Sequence, residues 1–309
     1  MNIVDQLYAR RPVEALVFDS EASFETLRDQ LLEIKKINAY YVKKVLKRII
    51  DLSLYADDTD WIYDEYVTLL NVTDKDQYSR IDSIRYFFKR RKNNSDTQYE
   101  YDDNANEKIS VDIYEKPNLI SASGTTGFRT WEASLFLCEY ILQNEALFKD
   151  QNVLELGCGT GICSILLQKV QSPKRIYVTD GDSELVTNQL VRNFELNKIS
   201  RNNNSNIILQ RLWWNEDKIP NDIDIVIGAD ITFDASLFDS LCQCLLQCLT
   251  YCPICLISAT IRNQDTTDSF ISTTKKLGMN IEEIARTDKL ESTALLAPVV
   301  IYKISKTNR

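Results

Sequence analysis

The period of the apolar positions changes along the chain. From Phe24 to Leu54 they recur at helical spacing (Leu27, Leu31, Ile34, Ile37, Tyr41, Val45, Ile49), and two shorter runs, Trp61 to Leu70 and Ser79 to Phe88, keep that spacing. This predicts a mostly helical region over residues 1–90. Residues 91–107 are polar and nearly free of aliphatics, so a linker or insertion is expected over 91–108 and a second domain over 109–309. In that second domain short apolar runs alternate with helical ones. The expected strands are Asn152–Leu156, Arg175–Thr179, Ile207–Leu212, Asp224–Gly228, Pro253–Ser258, Ile281–Ala285 and Val299–Ile304. The expected helices are Trp131–Gln143, Ile162–Val170, Ser183–Leu196, Ala235–Leu249 and Thr266–Leu277. Such alternation implies an α/β domain with a mainly parallel sheet, whose ligand lies beyond the carboxyl ends of the strands.

The sharpest local signal is Val153-Leu-Glu-Leu-Gly-Cys-Gly-Thr-Gly-Ile162. A short apolar strand runs into Glu155, then into glycines at 157, 159 and 161, and a helix follows at once. A glycine-rich strand-to-helix turn lets a ligand approach the backbone closely. The nicotinamide fingerprint Gly-x-Gly-x-x-Gly needs a glycine where Ile162 stands. A carboxylate beside a pyrophosphate also costs a few kcal/mol, about 4 at 4 Å near a surface. Glu155 therefore favours a cofactor with cationic centres and no phosphate, such as S-adenosylmethionine.

Further residues collect at later strand ends. Asp180 ends the second strand, placed to accept both hydroxyls of a ribose. The third strand ends in Trp213-Trp214, of which only one faces a ligand if the chain is extended, and Trp214 is expected on the adenine face. The fourth ends Gly228-Ala229-Asp230-Ile-Thr-Phe233; Asp230 is placed to hold a lysine ammonium and Phe233 to guide its stem. Ahead of the first strand, Gly124-Thr-Thr-Gly-Phe-Arg-Thr-Trp131 suits a loop that brings Trp131 over the cofactor's methionine end. The Asn-Pro-Pro-Tyr segment of amino-methylating nucleic-acid enzymes is absent.

Composition narrows the chemistry. The chain has 309 residues, 44% hydrophobic and 26% charged, as in an ordinary globular protein. It has no histidine, which excludes Ser-His-Asp and Cys-His catalysis and His-ligated metals. The net charge of −9 opposes a stable nucleic-acid footprint and favours a basic, lysine-bearing protein partner. Lys89-Arg-Arg-Lys92 reads as a solvated loop. Five of eight cysteines crowd at 242, 244, 248, 252 and 255 in apolar runs. Buried reduced thiols are expected there, with neither a metal nor disulfides. No run reaches a membrane span, and the first residues lack a basic start and apolar centre. A cytoplasmic monomer that binds no membrane is expected.

At these residues the chain resembles the seven-β-strand S-adenosylmethionine-dependent protein lysine methyltransferases, and among them the eukaryotic elongation factor 2 lysine methyltransferases. Val153–Gly161 is similar to the family's first cofactor motif, and Asp230-Ile-Thr-Phe233 to its Asp-x-x-Tyr/Phe motif. Thr125–Trp131, Ser258-Ala-Thr-Ile-Arg-Asn263 and the helical N-terminal region resemble the elongation factor branch. Trp213 departs from the pattern, standing where an acid is common. The resemblance implies a seven-stranded, mostly parallel Rossmann-like sheet with helices on both faces. It implies cofactor contacts at Trp131, Gly157, Cys158, Gly159, Asp180, Trp214 and Ala229, to which the turn itself adds Glu155 and Gly161. It further implies methyl transfer from S-adenosylmethionine to a lysine of elongation factor 2, with Asp230 and Phe233 orienting the amine. The rival readings are a non-catalytic cofactor-binding module, a nicotinamide oxidoreductase and a nucleic-acid methyltransferase.

Overall fold

The structure, a computed structural model, describes residues 1–18, 23–74, 80–91, 106–119, 126–170, 173–200, 205–290, 293 and 295–307. Its contacts divide the chain into two compact units, residues 1–86 with 112–119, and residues 87–111 with 120–309. Most of the polar stretch expected at 91–108, and Gly124-Thr125 of the expected loop, lie outside the described residues.

In the first unit the helices are α1 (Ile3–Tyr8), α2 (Phe24–Asp51) and α3 (Thr59–Thr68). The residues spaced for one face do form a core: Leu27, Leu31, Ile34, Val45 and Ile49 are buried with Leu7 and Ile62. Helix α2 is broken at Asn38, where φ is −136° and ψ is 74°. The Asn38 side chain compensates as an internal cap, accepting the Tyr41 N–H at 2.9 Å and donating to Asp82 at 2.5 Å. Asp82, almost wholly buried, also accepts from Arg10 at 2.9–3.1 Å.

The run from Ser79 to Phe88 is expected as a third helix, but its residues 82–88 instead belong to strand β1 (Asp82–Arg91), paired with β2 (Asn106–Glu115), and Ser79 lies outside the described residues. Ile84 and Phe88 are buried at a spacing of four, which a helix and a strand share. The buried set in β1 also includes Asp82, and β2 buries Ile109, Val111, Ile113 and Glu115, a period of two.

The second unit is built on seven strands: β3 (Asn152–Leu156), β4 (Arg175–Asp180), β5 (Ile207–Arg211), β6 (Ile225–Ala229), β7 (Cys255–Thr260), β8 (Met279–Thr287) and β9 (Val299–Lys306). Their order is β5-β4-β3-β6-β7-β9-β8, parallel except for β9, which runs antiparallel to both neighbours. The helices are α4 (Glu132–Gln143), α5 (Glu145–Phe148), α6 (Ile162–Lys169), α7 (Leu190–Leu196), α8 (Phe238–Cys248) and α9 (Gln264–Lys276). All seven expected strands and five expected helices are present, and the expected 183–196 helix opens with a π-helical turn at Leu185–Gln189.

Strands β3, β6 and β7 are buried almost end to end, as a parallel sheet covered on both faces requires. Leu154, Leu156, Val226, Cys255, Ile257, Val300 and Tyr302 share a core with Leu241, Leu245 and Cys248 of α8 and Phe270 of α9. The alternate side chains turn to the other face, where α4 packs on β6, β7, β9 and α6. All eight cysteines are free and buried. Among the described residues no group of acids and thiols is arranged to hold a metal ion, and no helix is long and apolar enough to cross a membrane.

Chain direction across the sheet reverses beside β3. The chain steps outward through β4 and β5, then returns to lay β6 on the other side of β3. This is the switch point at which an open α/β sheet leaves a crevice beyond its carboxyl ends.

Candidate active site

The glycine turn leaves β3 at that crevice. Gly157, Gly159 and Gly161 all have positive φ, at 58°, 52° and 79°, so the loop needs residues without a Cβ. Their surroundings differ. A Cβ on Gly157 would meet Ile231 Cγ2 at 2.6 Å and Trp214 Cζ2 at 3.7 Å. A Cβ on Gly159 would meet the Gly127 backbone at 3.5 Å, whereas one on Gly161 would meet Leu190 Cδ2 at 2.7 Å. Gly157 thus brings together the residue after Asp230, the second tryptophan and the turn. Gly161, at the N-terminus of α6, serves packing on α7.

Asp180 binds the turn to β4. Its Oδ2 accepts the Gly159 N–H and its Oδ1 the Asp182 N–H, each at 3.1 Å. Burial pushes its carboxyl upward, and these backbone bonds oppose the shift. The Gly181 backbone also bears on this carboxylate, which leaves it acceptor capacity for a ribose hydroxyl. The two tryptophans diverge: Trp214 is half-buried beside Gly157, while Trp213 is exposed and lies against Gly181. Cys158 is buried in the turn, with its thiol pushed up by desolvation, and its N–H donates to Thr179 O at 2.9 Å.

Glu155 differs from expectation. Strand alternation turns it away from Leu154 and Leu156 toward α6, where it accepts a hydrogen bond from Ser164 Oγ. It is 2% exposed, and burial pushes its carboxyl up to about 7 against the Ser164 bond. A group so sealed offers no surface to a ligand. It supports the turn from beneath, and any effect on cofactor choice passes through the turn as a field.

On the other side of the crevice, β6 ends at the half-buried Ala229, and Asp230 takes a left-handed φ of 51°. Such a conformation in a non-glycine residue is costly and collects at functional positions. The Asp230 N–H donates to Ser258 O at 2.9 Å, and its carboxylate is a hub. Oδ1 accepts the Thr260 N–H at 3.0 Å and Arg262 Nη1 at 3.5 Å. Oδ2 accepts the Thr260 hydroxyl at 3.0 Å, Arg262 Nη2 at 3.3 Å and the Ala133 N–H of α4 at 3.4 Å. Phe233, three residues on, is 52% exposed.

Trp131 caps α4 and donates its indole N–H to Thr126 O at 3.0 Å. The guanidiniums of Arg129 and Arg262 lie 4.6 Å and 5.0 Å from its ring. Thr130 and Thr160 share a hydroxyl bond of 2.9 Å, which joins this segment to the glycine turn. Arg262, Thr260 and Glu132 have no sequence signal of their own. Arg262 meets Glu132 across 130 positions of chain, and only the Ser258–Asn263 resemblance marked its neighbourhood.

The segments at 127–133, 157–161, 180–182, 213–214, 230–233 and 260–262 therefore converge on one crevice. Its fixed acceptors are carboxylates and its wall aromatic. That set suits a cofactor with a ribose and an aromatic base, so the residues fit S-adenosylmethionine.

Comparison with known proteins agrees. Residues 119–277 match a family described as lysine methyltransferase. The chain is 39% identical over 313 aligned positions to the protein-lysine N-methyltransferase EFM3 of Saccharomyces cerevisiae, covering 88% of this chain and 87% of that protein. It is 34% identical to a protein of the same name from Chaetomium thermophilum, over 57% of this chain and 54% of that one. It is 31% identical to the protein-lysine N-methyltransferase EEF2KMT of Mus musculus, over 65% of this chain and 64% of that one.

Proposed function

The chain belongs to the lysine methyltransferase family and is an S-adenosylmethionine-dependent protein-lysine N-methyltransferase; from that premise we propose that its target is a lysine of elongation factor 2, met in the cytoplasm. In this reading the cofactor lies against Trp131, Gly157, Cys158, Gly159, Asp180, Trp214 and Ala229, and the lysine against Asp230 and Phe233. The observation that carries it is the contact of Ile231 with Gly157, which seats the Asp230 segment directly on the cofactor turn. Support for the target comes from the resemblance of the 125–131 and 258–263 segments to the elongation factor branch.

When bound, S-adenosylmethionine supplies a methyl group on a sulfonium, which a neutral amine takes up as the C–S electron pair returns to sulfur. The residues of this chain align and desolvate rather than shuttle protons, so the absence of histidine is no obstacle. Asp180 holds the ribose and keeps the turn shaped. Trp214 gives the adenine a face. Phe233 guides the lysine stem, and Asp230 accepts one amine N–H and aims the lone pair. The proton displaced from nitrogen passes to solvent.

The test is incubation of the protein with elongation factor 2 and isotopically labelled cofactor, followed by mass spectrometry of the elongation factor. One lysine peptide heavier by whole methyl groups is expected. Label confined to other proteins, or to a nuclease-sensitive fraction, overturns the target.

A further inference from the structure

Asp230 poses a problem as a lysine site. A neutral amine is the nucleophile, and free lysine titrates near pH 10.4, about 3 units above neutrality. A bare carboxylate beside the amine would hold the proton more tightly still. The carboxylate here is not bare. Arg262 contacts both of its oxygens, at 3.3 Å and 3.5 Å. Arg262 is itself anchored elsewhere, by a 2.7 Å bond to Glu132 and by the Trp131 ring 5.0 Å away.

The ionisable groups facing this point come from each surrounding segment. Asp230 stands at the end of β6, Glu132 in the first turn of α4, Arg262 beyond β7, and Arg129 ahead of α4. Arg129 reaches Glu132 at 3.6 Å. Two carboxylates thus meet two guanidiniums, and the charges cancel.

We infer that Arg262 is a positioning residue of the lysine site: it balances the charge of Asp230, so that the carboxylate orients an incoming amine without favouring its protonated form. The inference rests on the placing of the lysine at Asp230 under Proposed function. The geometry permits the sharing it needs. A carboxylate has about four acceptor sites, and the contacts of Arg262 are long beside the 3.0 Å bonds from Thr260. Five donors already reach the carboxylate, so an amine N–H enters by displacing one of the two long Arg262 contacts, while Glu132 and Trp131 keep the guanidinium beside it.

The experiment is single-turnover methylation of elongation factor 2 by the full chain, from pH 6.5 to 10, with Arg262→Gln, Arg262→Lys and Glu132→Gln variants. The wild-type rate rises with pH and levels off where the bound amine is neutral. Arg262→Gln leaves one negative charge uncompensated and moves that limb up by about one pH unit, a loss of about tenfold at pH 7.5 that vanishes near pH 10. Arg262→Lys restores the wild-type limb. Glu132→Gln, which removes a negative charge, moves it down. A merely structural role lowers the rate equally at every pH, and an unshifted limb in Arg262→Gln overturns the inference. If that variant fails to bind cofactor, Glu132→Gln decides, and an unshifted or upward limb there overturns it. No methylation by the wild type removes the elongation factor reading first, and this inference with it.

Discussion

The Asp180 carboxylate accepts the Gly159 N–H and so shapes the turn, and in the proposed reading the same side chain also receives a ribose hydroxyl. Charge-assisted hydrogen bonds of this kind contribute about 1.5–3 kcal/mol. Asp180→Ala is expected to weaken S-adenosylmethionine binding by about tenfold to a hundredfold, read by titration calorimetry. Unchanged affinity would remove Asp180 from the site. Asp230→Asn should act on the other half of the reaction: methylation falls by about a hundredfold or more while cofactor affinity holds within a few-fold. A variant that keeps full activity would refute the lysine role of Asp230. Glu155 makes a different, pH-linked prediction. Its carboxyl titrates near 7 in the folded chain, above the unfolded value of 4.5, so the folded state binds the extra proton between those limits. That contribution is complete below about pH 4.5 and is lost as pH rises through 7. Glu155→Gln cannot lose it, so its stability relative to wild type should improve by about 2–3 kcal/mol between pH 4.5 and pH 8. Denaturant unfolding at the two pH values measures the difference, and a constant difference would show that Glu155 stays ionised.

The break in α2 concentrates stability on one buried cluster. Asp82 receives Arg10, Asn38 and its own neighbour's Ser83 N–H, and it is 2% exposed. Asp82→Ala strands a buried guanidinium and uncaps the second half of the helix, so a loss of about 3–5 kcal/mol in unfolding free energy is expected. A loss below 1 kcal/mol would mean that Arg10 finds solvent instead. This cluster also shows where sequence patterns stop. Helix α2 was legible from its apolar stripe, but the break at Asn38 was not, because its cause is an acid 44 positions away. Strand β1 was misread because burial at Ile84 and Phe88 satisfies both periods, and its partner β2 begins at the far end of a polar stretch. The parallel strands were legible almost residue for residue, since a strand covered on both faces must be a short continuous apolar run. The site divides the same way. Gly157, Asp180 and Asp230 stand at strand ends, where topology alone brings them together. Arg262 and Glu132 are charges in ordinary sequence, and only the fold makes them neighbours.

At the scale of the whole molecule, a net charge of −9 sets how a partner arrives. The substrate side chain is a cation before it loses its proton, and the family's substrates are proteins rather than nucleic acids. An acidic enzyme attracts a basic face at distances beyond contact and so raises the encounter rate, without needing a tight complex. Screening removes that benefit, because the Debye length falls from about 10 Å at 0.1 M to about 3 Å at 1 M salt. The expectation is a kcat/KM for the protein substrate that falls several-fold between low salt and about 0.5 M, with kcat nearly constant. The proposed lysine site, by contrast, centres on a buried group. Asp230 has a side chain only 7% exposed and lies inside a set of matched charges, so salt reaches it poorly. A kcat that falls in parallel with kcat/KM would place the salt-sensitive charges at the lysine itself. A kcat/KM indifferent to salt would mean that contact surfaces, rather than the field of the molecule, select the substrate.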